Sequence, residues 1–174
     1  MGLNEGFKAM KFNKGYIEGV RVDKLVKNVD ERGLLVETYR ADALPKGLSP
    51  QMSYVSYTLP GLARGPHEHL RQTDIFVFMG PGDFRVHLWD NRKESPGFGN
   101  SMIILLGEQN PSLVIVPPGV VHGYRNVSKA VNGMVLNYPN TLYRGWGKKE
   151  EVDEVRHEEK LDEFYADFMR DRTS

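Results

Sequence analysis

Three of the chain's five histidines fall in two short stretches about fifty residues apart. The first reads Arg64-Gly65-Pro66-His67-Glu68-His69 and is followed by Gln72 and Asp74. The second reads Pro117-Pro118-Gly119-Val120-Val121-His122-Gly123-Tyr124-Arg125-Asn126. Imidazole transfers protons near neutral pH and is also the commonest metal ligand, so two chemistries are open. In the first, a histidine takes a proton from carbon or oxygen as a general base. In the second, His67, His69, Asp74 and His122 supply three imidazoles and one carboxylate to Fe, Mn, Ni or Zn, a mixed N/O set that suits several of these ions. His87 and His157 have no motif around them and are expected on the surface or at a rim.

These residues must be held by short strands. Alternate residues of a strand share a face, so His67 and His69 point the same way. The Pro117-x-Gly119 turn delivers His122 to the start of the next strand. Strand-like runs cover 16–22, 34–40, 52–59, 75–79, 84–89, 102–106, 113–116 and 131–136, with Gly and Pro between them. That spacing predicts an all-β sandwich or barrel. One segment has a different period. Leu161, Phe164, Tyr165, Phe168 and Met169 fall on one face of a helix, predicted over 159–170 and packed on the sheet or on a partner subunit.

Composition narrows the functional classes. A length of 174 residues suits one domain, 1–174, with 1–15 as an extended N-terminal arm. Lys and Arg balance Asp and Glu at 23 each, so no basic field recruits nucleic acid or anionic lipid. No apolar run is long enough to span a bilayer, and residues 1–14 do not read as a signal peptide. The absence of cysteine excludes disulfides and thiolate zinc sites. The expected location is cytoplasmic.

The spacing Gly61-x5-His67-x-His69, then Pro117-x-Gly119-x2-His122-x3-Asn126, resembles the two cupin motifs. A closer resemblance runs from Asp30 to Tyr143. Asp30-Glu31-Arg32-Gly33 with Glu37, Gln51, Arg64-Gly65-x-His67, the run Trp89 to Gly99, Val116 to Tyr124, and Tyr138-Pro139-Asn140-Thr141-Leu142-Tyr143 follow the order of the dTDP-4-dehydrorhamnose 3,5-epimerase family. The resemblance implies a cupin double-stranded β-helix, or jelly roll. It implies an isomerase that epimerises carbons flanking the keto group of a dTDP-linked 4-keto-6-deoxy sugar, at two positions or at one. It assigns His67 as the base and Tyr138 as the acid. Arg32 and Arg64 would bind the diphosphate and sugar, where a guanidinium fork suits paired oxygens. Glu37, Gln51 and His122 would make further substrate contacts. The resemblance implies no metal or other cofactor. It also implies a homodimer with exchanged N-terminal strands, in which Arg32 or Glu37 reaches a neighbour's site.

The chain departs from the family in two places. Asp74 stands where the family carries a lysine that steadies the enolate oxygen, a task a carboxylate performs only when protonated or bridged by a cation. His67-Glu68-His69 replaces an aromatic residue and glutamine after the histidine. For the carboxylate that orients the base, Asp153, Glu158 and Asp162 are candidates. The alternatives are the metal-dependent cupin enzyme described above and a non-catalytic sugar-binding cupin, which would be favoured by a Tyr138 remote from His67.

Overall fold

The computed structural model describes residues 12–158 and 165–170, and in these residues the chain forms two packed sheets. Strands β1 (Asn13–Lys14), β6 (Ala63–Glu68), β8 (Asp83–Asp90), β9 (Asn100–Gly107), β11 (Val120–Asn126) and β13 (Val155–Arg156) form one, in the order β1-β9-β8-β11-β6-β13. Strands β2 (Arg21–Lys24), β5 (Tyr54–Thr58), β7 (Asp74–Phe78), β10 (Ser112–Val116) and β12 (Gly133–Asn137) form the other, in the order β2-β10-β7-β12-β5. Between β5 and β8, and again between β9 and β12, the chain changes sheet at each step. This is the jelly-roll arrangement expected from the sequence. A separate hairpin joins β3 (Lys27–Asp30) to β4 (Gly33–Val36).

The core follows from strand alternation. Phe76 and Phe78 of β7, Phe84, Val86 and Leu88 of β8, and Val114 and Val116 of β10 meet between the sheets. Residues of the opposite parity on β7 and β10, Ile75, Val77, Leu113 and Ile115, face outward. They are covered by Leu25, Leu44 and Leu48 from the segment that follows β2. β7 is thus buried on both faces, which is why it reads as an unbroken apolar run. The outer face of the six-stranded sheet carries a third cluster, in which Trp89 and Val121 meet Tyr165 and Phe168. α1 (Ala166–Arg170) lies there, so the helix packs on the sheet as expected. Residues 159–164 of that expectation lie outside the described residues.

Some boundaries differ from the expected ones. Residues 16–22 are not one strand, because Gly19 at φ +80 makes a turn and β2 starts only at Arg21. Ile17 and Val20 are core residues all the same. The strand expected over 34–40 stops at Val36. Of the segment expected as an arm, Asn13 and Lys14 pair with β9, and residues 1–11 lie outside the described residues. Among the described residues no helix is long and apolar enough to cross a membrane.

Candidate active site

β6 and β11 lie side by side, with His67 opposite His122. The register shifts between His122 and Tyr124, where β6 carries an extra residue around Gly65-Pro66. Only glycine fits at 65. Its φ is +79, and a Cβ would stand 2.6 Å from the His122 carbonyl oxygen. This close crossing brings the two imidazoles edge to face, with ring centroids 4.5 Å apart and planes at 68°. The two sequence clusters are joined once more where Gly119 N–H donates to the His69 carbonyl at 2.8 Å.

His67 and His69 line a cavity of about 1550 Å³. That exceeds the ~300–1000 Å³ of ordinary small-ligand pockets and gives room for a sugar with a nucleotide attached. Its walls include Tyr54 and Ser56 of β5, Arg64 and His67 of β6, and residues 139–148 and 150–154. Trp146, 84% exposed, stands at the rim.

The electrostatics divide the cluster. Burial holds the His67 imidazole well below its usual range, and the neighbouring His122 and His69 rings push the same way. His67 is therefore neutral, with a lone pair available at pH 7. Burial opposes the charge on Asp74, but the contacts to His122 and His69 outweigh it and hold the carboxyl well below the usual carboxylate range. Burial likewise opposes a charge on His69, and the Asp74 carboxylate overcomes it and raises that imidazole. Asp74, buried behind the cavity wall, is thus a carboxylate that favours positive charge on His69.

The sequence model of the dTDP-4-dehydrorhamnose 3,5-epimerase family matches residues 14–146. The chain belongs to that family. It is 37% identical over 128 residues to the probable low-salt glycan biosynthesis epimerase Agl13 of Haloferax volcanii, covering 73% of this chain and 81% of that one. It is 38% identical over 109 residues to the spore coat polysaccharide biosynthesis protein SpsL of Bacillus subtilis, covering 63% and 71% respectively. The crystal structure of a dTDP sugar isomerase from Desulfovibrio desulfuricans G20 superposes with a TM-score of 0.71 at 25% identity, over 80% of this chain and 84% of that chain. The protein is a nucleotide-sugar epimerase with a cupin-type fold.

The residues singled out for this epimerase from its sequence fall in two groups. His67, Arg64 and Gln51 line the cavity, and His122 lies buried behind His67, beside Asp74. Arg64 is steadied by the Thr58 hydroxyl at 3.1 Å and the Tyr57 carbonyl at 2.8 Å. Arg32, Glu37 and Tyr138 do not line this cavity. Arg32 tips the β3–β4 hairpin and pairs with Asp30, and Glu37 pairs with Arg40 at 3.3 Å. Tyr138 departs furthest from expectation. Strand parity points Asn137 inward, so Tyr138 packs on the outer cluster with its hydroxyl 2.9 Å from that of Thr38.

Several site residues had no motif to reveal them. Glu154 places Oε1 3.7 Å from His67 Nδ1, next to Asp153 rather than at any of the three positions considered for an orienting carboxylate. The Asp153 carboxylate instead accepts backbone N–H groups of Leu70, Arg71 and Gln72, and its carbonyl accepts His69 Nδ1–H. Glu158 lines the cavity, and Asp162 lies outside the described residues. His157, expected at a surface or rim, is buried against Glu68 at 3.0 Å.

Proposed function

We propose that this epimerase acts on a dTDP-linked 4-keto-6-deoxy sugar and inverts a carbon next to the keto group, with His67 as the base. One observation carries the reading. His67 is a neutral imidazole on the wall of a nucleotide-sized cavity, with the Glu154 carboxylate behind its second nitrogen. A carboxylate there orients the ring and stabilises the imidazolium formed when the other nitrogen takes a proton. Arg64 and Gln51 suit the phosphate and sugar oxygens.

Inversion needs an acid on the opposite face of the sugar. Tyr54 fits this role, because β5 belongs to the sheet facing β6. Its hydroxyl oxygen accepts Asn137 Nδ2–H at 3.0 Å, which leaves the phenolic hydrogen free to be donated. Arg32 and Glu37 would contribute to the site of a second subunit. The hairpin that carries Arg32 exposes Val29, Leu34 and Leu35, apolar surface that a homodimer would cover. The names of Agl13 and SpsL place those relatives in glycan and polysaccharide biosynthesis, and the same destination is proposed for this product.

The test is solvent-deuterium incorporation into dTDP-4-keto-6-deoxyglucose, followed by NMR. The wild type should exchange the hydrogen at one or both carbons flanking the keto group. His67→Ala should abolish exchange, whereas Tyr54→Phe should exchange without yielding inverted product. Unchanged exchange in His67→Ala would remove the base assignment.

A further inference from the structure

We propose that His69, Asp74 and His122 bind one divalent transition-metal ion beside the cavity that His67 and His69 line. Asp74 Oδ2 lies 3.2 Å from His69 Nε2 and 3.3 Å from His122 Nε2. Neither imidazole needs Nε2 to hold its hydrogen. His122 Nδ1–H donates to the Val120 carbonyl at 3.0 Å, and His69 Nδ1–H donates to the Asp153 carbonyl. A carbonyl only accepts, so each ring, in the deprotonated state that binds a metal, carries its lone pair on Nε2, near a carboxylate oxygen. In that state the two Nε2 lone pairs and Asp74 Oδ2 converge.

Burial makes this arrangement costly without a cation. Asp74 is 1% exposed and His122 3%, yet Asp74 Oδ2 and His122 Nε2 make no hydrogen bond despite their proximity. The rest of the carboxylate is fully engaged, with Oδ1 accepting from Gln72 Nε2 at 2.9 Å and Asn137 Nδ2 at 2.8 Å. Thr141 fixes Gln72 by donating to its Oε1 at 2.6 Å. The Gln72 amide also approaches His69 Nε2 at 3.1 Å and is the group an ion would displace. Outward hydrogen bonds that orient each donor, with the inward atoms left bare, are what a metal site requires.

The two distances to Asp74 Oδ2 agree. Donors bound at ~2.0–2.2 Å and ~90–110° apart are separated by roughly 2.8–3.6 Å. Two imidazoles and a carboxylate favour Mn, Fe, Co, Ni or Zn over the all-oxygen preference of Ca and Mg. His67 lies beside the cluster, and a ligand-type atom from each of the four residues falls within 4.8 Å of the others. With three other donors present, His67 stays outside the ligand set and remains a base. The ion's role rests on the epimerase reading. When the carbon–hydrogen bond breaks, the proton passes to His67 and the electron pair moves to the keto oxygen. The ion supplies the positive charge that this oxygen needs.

The test uses the folded full chain, freed of metal by a chelator and titrated with Co(II). One Co(II) per chain, visible d–d absorption and a raised Tm are expected. Asp74→Ala and His122→Ala should each weaken Co(II) binding at least 100-fold, and Glu68→Gln, on the other face of β6, should not. Failure of the wild type to take up stoichiometric Co(II), or undiminished affinity in both site variants, overturns the site. Deuterium exchange is then compared in stripped and loaded wild type. Exchange at least tenfold faster when loaded supports the role, and equal exchange overturns it. Stoichiometric Co(II) with no exchange in either state keeps the site and strikes the epimerase reading instead.

Discussion

The two faces of β6 carry the same kinds of residue and use them differently. On the outer face, Glu68 Oε1 accepts His157 Nε2–H at 3.0 Å and Asn91 Nδ2–H at 3.3 Å. The His157 ring lies 4.9 Å from Tyr165, beside the aromatic cluster that seats the C-terminal helix. On the inner face, His69 and His122 approach Asp74 as closely, but Asp74 Oδ2 and His122 Nε2 make no hydrogen bond. A buried histidine–carboxylate pair set against an aromatic cluster, its carboxylate shared by two donors, is an anchor. A pair beside a cavity, with a carboxylate oxygen left without a hydrogen bond, is a site.

The contrast can be broken most directly at His67. His67→Ala should reduce deuterium exchange by about 10²–10⁴-fold, the usual worth of a positioned general base, while the unfolding midpoint moves little. The outer face should behave in the opposite way. Glu68→Ala removes the acceptor shared by His157 and Asn91 and should cost about 1–3 kcal/mol in chemical denaturation, with kcat retained. A parallel loss of kcat would erase the distinction between anchor and site. A smaller effect is expected for Asp74→Asn in chelator-treated protein. The new amide can donate to an imidazole Nε2 while its oxygen keeps the bonds to Gln72 and Asn137, so stability should change by less than about 1 kcal/mol. Stability should respond least at the rim. Trp146→Ala should alter it by no more than about 0.5 kcal/mol but raise KM at constant kcat, as expected for loss of uniform substrate binding.

Much of the inner face is legible in the sequence, because local rules create it. His67 and His69 share a face by strand parity. The Pro117-x-Gly119 turn sets His122 beside them, and Gly65 permits the crossing that brings His67 edge to face with His122. The same parity explains the error at Tyr138. The residue is in the right stretch of chain, but one position along a strand reverses the side chain, and Asn137 takes the inward place. Glu154 and His157 are beyond such reading. They arrive through β13, a two-residue strand whose pairing with Glu68 and His67 spans more than eighty positions. No periodicity exists in two residues, so nothing local marks them. Arg32 and Glu37 lie outside the cavity for a different reason, since the β3–β4 hairpin and the residues just after it belong to neither of the two main sheets.

The β13 strap lies outside the matched segment. The family match ends at residue 146, yet Asp153, Glu154 and His157 lie beyond it and touch the turn at 70–72, His67 and Glu68. The matched segment supplies the imidazoles, and the strap supplies what stands behind them. Loss of the strap would therefore take the carboxylate from the base without removing one residue of the core between the sheets.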